Sequence, residues 1–258
     1  MAQSDPHIIS ESKLKEAIGG YLDDYVVQPA VGLVNSDLQA QDDIANLLVL
    51  HRLLRDLAQA DAGKPLDQYL LSLLQGEPGP DIELAELLSR PEESASRIAE
   101  LRTVFCSYVF HLANWACISV LSASYLSALI ITRSLLELLV NVGAGKTGGM
   151  SERIGGLEML ADDEKSILSE CWRDLSGWSH SHRRWLKKLC PVLIARGPLH
   201  HPRIARECLV SLGICTDLAF AIAFDKFAVD PEVVRVRCVD NHVDYRRFLL
   251  LRRRIDRK

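Results

Sequence analysis

Apolar residues recur along most of this chain at the three- and four-residue spacing of one helical face. Residues 11–34 and 40–60 carry the pattern, the second through Ile44, Leu47, Leu48, Leu50, Leu54 and Leu57. Gly63-Lys64-Pro65 breaks it, and Pro65, whose fixed φ suits a first helical turn, opens a shorter helix from Leu66 to Leu74. Gly76-Glu77-Pro78-Gly79-Pro80 is the clearest breaker and separates an N-terminal helical layer from the rest. A short helix around 81–89 ends before Pro91. Glu92-Glu93-Ser94 then start a long helix running through Phe105, Phe110 and Trp115 toward Ser122.

Ser122-Ala123-Ser124 marks a point where one helix yields to the next. That next helix carries Leu126, Leu129, Ile130, Leu135, Leu136, Leu138 and Leu139, and ends at the glycine cluster Gly143 to Gly149. Another runs from about Asp162 to Cys190, stopped by Pro191. Pro198 and Pro202 bracket a loop before an apolar helix from Ile204 to Phe227. From Pro231, the run Val233-Val234-Arg235-Val236-Arg237 predicts a short extended piece, followed by a basic helix from Asp244. The expected fold is all-α: a multi-helix bundle with an N-terminal layer (1–90), a helical core (91–230) and a basic C-terminal extension (231–258).

Composition agrees. With 258 residues, 48% hydrophobic and 25% charged, the chain buries a sizeable core without disulfide or metal staples. Leucine and alanine dominate the apolar set, which favours helices over a β-sandwich. A net charge of -4 excludes a globally basic nucleic-acid coat but not a local basic patch. Seven cysteines, at 106, 117, 171, 190, 208, 215 and 238, form no CxxC pair and read as buried free thiols of a reducing compartment. Met-Ala-Gln-Ser-Asp-Pro-His lacks a basic stretch followed by an apolar one, so no signal peptide is evident and a cytoplasmic location is expected.

One stretch bears on that location. Thr103 to Thr132 holds no formally charged residue, and about 30 residues are enough to span a bilayer. Ser107, His111, Asn114, Ser119, Ser122, Ser124 and Ser127 interrupt it, and its basic flank is a single Arg102 or Arg133. The pattern favours a buried core helix, or a helix pair, over a membrane span.

Two motifs invite chemistry. Gly143-Ala144-Gly145-Lys146-Thr147 resembles a phosphate loop, but Val140 stands where the first glycine is required and a helix precedes it. A helix C-cap explains it better. Arg173-Asp174-Leu175-Ser176-Gly177-Trp178-Ser179-His180 is more informative. At about 100° per residue, Arg173 and His180 share one helical face, with Arg184 a further turn along. Ile167, Leu168, Cys171, Leu175, Trp178, Trp185 and Leu189 cluster on the opposite side, and His182 falls within that apolar stripe.

Such a pair suits RNA cleavage. A histidine near neutral pKa moves the proton of a 2′-hydroxyl or of the leaving oxygen. An arginine stabilises the charge that develops on the phosphoryl oxygens. Asp174 would orient the site, and Ser176 and Ser179 would add hydrogen bonds.

Arg173-Asp174 followed by His180 resembles the Arg-x4–6-His motif of the HEPN superfamily, in which a polar residue commonly follows the arginine. Leu175-Ser176-Gly177-Trp178-Ser179-His180 is similar to a Leu-Ser-x-x-x-His signature of related bacterial helical proteins, whose upstream Arg-x-x-x-Glu pattern is matched by Arg133 and Glu137. The resemblance covers roughly residues 100–225. It implies a HEPN-like helical core and a metal-independent ribonuclease, without cofactor, whose composite site forms at a homodimer interface. Many such proteins are bacterial toxins or antiviral effectors, which implies RNA as partner and an antitoxin or regulatory protein as controller. Other members lack catalysis and serve as binding or scaffolding modules. A non-catalytic helical interaction module is therefore the alternative function.

The remaining candidates read as follows. Arg133 and Glu137, four apart, pair with each other or reach across to the Arg173 helix. His200-His201 between prolines has no second cluster to complete a metal site and reads as an exposed loop. The tail holds Arg246, Arg247, Arg252, Arg253, Arg254, Arg257 and Lys258 around Phe248-Leu249-Leu250-Leu251. It is either a solvated helix face whose leucines pack on the body, or a contact for RNA phosphates or an acidic membrane surface.

Overall fold

A computed structural model describes residues 19, 27, 30–33, 37–59, 95–145, 148–179, 187 and 201–256. Among these described residues the fold is all-helical and contains no strand. The elements are α1 (Leu38–Gln59), α2 (Ala95–Leu121), α3 (Tyr125–Ala144), α4 (Met150–Gly155), α5 (Asp162–Ser179), α6 (Pro202–Lys226), α7 (Pro231–Asp240), a 3-10 turn (Tyr245–Arg247) and α8 (Leu249–Ile255). The expected helices between residues 60 and 94, and most of 11–34, lie outside the described residues.

Local chemistry sets the boundaries. Asp37 caps α1, its carboxylate accepting from the N–H groups of Gln39 and Ala40 at 3.1 Å each. The Ser122–Ser124 break separates α2 from α3: Ala123 takes a φ of 55° and the Ser124 N–H donates to the Ser119 carbonyl. The chain reverses there and α3 packs back on α2. At the other end of α3, Gly145 (φ 57°) is a left-handed cap whose N–H donates to Asn141 O. Gly143 is helical and close-packed; a Cβ there would lie 2.7 Å from Leu157 Cδ2. The glycine cluster is thus a helix end.

α6 lies at the centre, packed against α1, α2, α3 and α8, while α5 runs along α3. Its residues Leu218 to Ala223 are fully buried. Ala113, Ala116, Ala128, Ala219 and Ala221 are equally buried and let the helix backbones approach closely. Phe105 stacks on Phe227 with centroids 4.8 Å apart. Arg102 Nη1 donates to Phe227 O at the C-terminal end of α6, where a cation meets the negative end of the helix dipole.

Two local expectations are corrected. Residues 231–240 form helix α7 rather than an extended piece. Asp230 accepts from the Glu232 N–H at 2.9 Å, Pro231 occupies the first turn, and Val234 and Cys238, four apart, are buried together. α4, absent from the sequence reading, forms directly after the glycine cluster, with Glu152 accepting from the Gly149 N–H.

The expected cytoplasmic location is corrected as well. Leu101–Leu121, Tyr125–Ala144 and Pro202–Lys226, with mean hydropathies of 1.6, 1.5 and 1.8, are each long and apolar enough to cross a membrane. A helix of 20 residues is about 30 Å long, the thickness of a bilayer's hydrocarbon core. The uncharged stretch from 103 to 132 had been weighed as one interrupted span. The turn at Ser122–Ser124 places it in two separate helices, each of sufficient length, and α6 adds a third. These helices point to a membrane protein. Thr132, Thr216 and Asp217 within them are buried in the bundle, whereas His111, Ser127 and Ser134 are exposed. Thr132 Oγ1 donates to Ala128 O, Thr216 Oγ1 to Leu212 O, and Asp217 faces the C-terminal segment.

Candidate functional site

α5 presents two faces. Leu168, Cys171, Leu175 and Trp178 are buried, and three acidic residues in the first turn favour the helix dipole. At about 100° per residue, Arg173 falls nearly opposite the centre of that buried stripe. Arg173 and Asp174 are exposed, and neither forms an ion pair among the described residues. Ser176 is half-buried on the flank. Ile167, assigned to the apolar stripe, is 40% exposed at its edge. His180, Arg184, Trp185, His182 and Leu189 lie outside the described residues.

Arg133 stands beside this helix. Its guanidinium lies over the indole of Trp172, 4.8 Å from the centroid, and 4.0 Å from the Glu137 carboxylate. Arg133 thus pairs along α3 and also touches α5 at Trp172, whereas Glu137 stays on α3 and neither side chain is fully buried. Its side chain is 26% exposed, and its Nε is buried with no hydrogen-bond partner among the described residues. One turn beyond Glu137, Asn141 accepts from Arg153 of α4. Arg133, Glu137 and Asn141 form a polar stripe at four-residue steps on an otherwise apolar helix. Asn141, Arg153 and Trp172 were not singled out from the sequence. The four-residue spacing was the signal for Asn141, whereas only the fold brings Arg153 and Trp172 to it.

The basic tail is largely engaged with the protein's own body. Arg253 contacts Asp163 at 2.8 Å and Glu164 at 2.7 Å, and these carboxylates raise the Arg253 pKa. The same guanidinium, hydrogen-bonded to Asp163, holds that carboxyl below its usual range. Arg247 sits among Asp43 (3.1 Å), Asp244 (3.6 Å) and Asp42 (3.7 Å). Arg254 donates to the Met159 carbonyl. Leu250 and Leu251 are buried beneath. Arg246 and Arg252 remain exposed.

His201 precedes α6, its backbone N–H donating to the Tyr125 hydroxyl at 3.0 Å. Among the described residues, no group of three or more His, Cys, Asp or Glu side chains is placed to hold a metal. No protein-family model, curated protein or solved structure matches this chain.

Proposed function

We propose that this chain is a HEPN-like, metal-independent RNA endonuclease of the toxin or anti-phage kind that acts as a dimer. The observation that supports it is the position of Arg173, exposed on the side of α5 facing away from the buried stripe. A guanidinium there serves no internal pairing among the described residues and is open to a phosphate or a second copy. In the sequence His180 stands seven residues after Arg173, the spacing that shares one face of a helix. In the reaction, the His180 imidazole removes the 2′-hydroxyl proton and the 2′-oxygen bonds to phosphorus. The bond to the 5′-oxygen then breaks, and that oxygen takes a proton from the second copy's imidazole. Arg173 stabilises the charge on the phosphoryl oxygens. In this reading Asp174 orients the pair, Arg184 serves the phosphate backbone, and the exposed Arg246 and Arg252 extend those contacts.

α5 is rich in charge, and Arg173 and Asp174 are exposed on it, so this face suits an aqueous setting. The three apolar helices favour a second reading, a non-catalytic membrane-associated interaction module whose α5 face docks another protein. Incubating full-length protein with tRNA and mRNA in chelator separates the two. The nuclease reading expects fragments ending in cyclic phosphate, lost in Arg173→Ala and His180→Ala variants that still form dimers. Intact RNA with wild-type protein, together with weakened self-association in both variants, establishes the interaction module instead.

A further inference from the structure

The C-terminal segment covers a cavity of about 280 Å³ between α1, α5 and α6, and nothing in the proposed nuclease chemistry uses it. Its walls are mainly leucine, isoleucine and valine from those helices, closed on one side by Phe248. Three carboxylates, Asp43, Glu164 and Asp217, line it against one guanidinium, Arg247. Arg247 already faces Asp42, Asp43 and Asp244 within 4 Å. Glu164 is engaged by Arg253 and Asp217 by the Leu250 and Leu251 N–H groups, so the surplus negative charge lies at Arg247, where three carboxylates face one guanidinium; a cationic head is favoured there over an anionic one.

Gly213 supplies an independent observation. It stands in the middle of the 25-residue α6 and lines the same cavity. Glycine in a helix interior costs about 1 kcal/mol relative to alanine. A Cβ there would meet only Phe248 Cε1, at 3.8 Å, an ordinary contact. Packing does not demand glycine at this position; its effect is to leave the space open.

We infer that this cavity binds a small organic cation: an ammonium group carrying an apolar body of about eight carbon atoms. The ammonium lies toward Asp43, and the apolar body lies between Phe248 and Gly213. The volume sits at the lower end for small-molecule sites, which sets the size of the ligand.

The test is calorimetric titration of the full chain in phosphatidylcholine nanodiscs with phenethylamine, 3-phenylpropionate and 3-phenylpropanol, with empty nanodiscs as blank. Phenethylamine is expected to bind at least tenfold more tightly than the anion, with the alcohol between them. Gly213→Leu, which fills the cavity, is expected to abolish binding while melting no lower than wild type. Asp43→Asn, which keeps the shape and removes one charge, is expected to weaken phenethylamine about tenfold and leave the alcohol unchanged. Equal binding of amine and anion, unaltered binding by Gly213→Leu, or no binding of any probe overturns the inference. Should Gly213→Leu fail to fold, the Asp43→Asn contrast between amine and alcohol decides alone. Arg173→Ala leaves amine binding intact, so failure of the nuclease reading and failure of this one remain distinct.

Discussion

The guanidinium of Arg133 lies over the indole of Trp172, 4.8 Å from its centroid, and joins α3 to α5 immediately beside Arg173. A partly desolvated cation–π pair contributes about 1–2 kcal/mol. Arg133→Ala is expected to destabilise the protein by about that much, and Arg133→Lys by less, because an ammonium lacks the planar stacking surface. A double-mutant cycle with Trp172→Leu, read by chemical denaturation, should return a coupling of about 1 kcal/mol. Additive effects would mean that the contact carries no energy.

Arg173 behaves differently. It is exposed and makes no ion pair among the described residues, so Arg173→Ala should shift stability by no more than about 0.5 kcal/mol. The same change should remove RNA cleavage or self-association. A thermal melt beside the cleavage and sizing assays checks both halves. A large loss of stability would assign Arg173 a structural task.

Asp217 holds α8 from inside the bundle, its two carboxylate oxygens accepting from the N–H groups of Leu250 and Leu251 at 2.8 Å each. Losing an ionised acceptor from two buried donors costs about 2–4 kcal/mol. Asp217→Ala is therefore expected to release residues 245–255. Limited trypsinolysis should then cut at Arg252 to Arg254, which the wild-type protein protects. Arg253→Ala, which breaks only the clasp to Asp163 and Glu164, should leave the α8 backbone amides protected in hydrogen exchange.

His51 gives the fold a pH dependence. Burial pushes its pKa down from 6.5 to about 3, and Nε2 lies 3.1 Å from the Thr216 hydroxyl. Between those values the unfolded chain binds a proton that the folded chain excludes, so the folded state loses ground as pH falls. This contribution is fully present above about pH 6.5 and declines by up to about 1.4 kcal/mol per pH unit toward pH 3. Denaturation midpoints measured from pH 7 to 4 should drop accordingly, and His51→Leu should flatten that slope. An unchanged slope would assign acid sensitivity to other groups.

Most helices were legible because their signals are local. Ser122–Ser124, the Gly143–Gly149 cluster and Pro202 act over a few residues, and the boundaries of α3 and α6 fall where they indicate. The error at 231–240 came from weighing Val-Arg alternation above the cap. Val233, Val236 and Val239 are solvent-exposed in the helix, so their alternation reflected no sheet face, while Asp230 and Pro231 had marked a helix start. The ion pairs of the tail were hidden for another reason. Its arginines read as a patch because Asp42, Asp43, Asp163 and Glu164 sit far off in sequence, and only the packing brings them together. Membrane-length helices were obscured because the serines, His111 and Asn114 between 103 and 132 weighed against a span, although the break at Ser122–Ser124 already divided the stretch into two helices. The site is legible only in part: Arg133 and Glu137 stand out by spacing, but Trp172 beneath Arg133 belongs to tertiary structure.

The cap that Asp217 provides also bears on how the protein is made. During synthesis α6 leaves the ribosome before residues 250 and 251, so its central carboxyl must wait for the two N–H groups that cap it. Until then a polar side chain at the middle of the bundle lacks its partners. Chains in which α8 fails to dock should be poorly packed and readily degraded, so docking of α8 reports on the integrity of the helix it closes over.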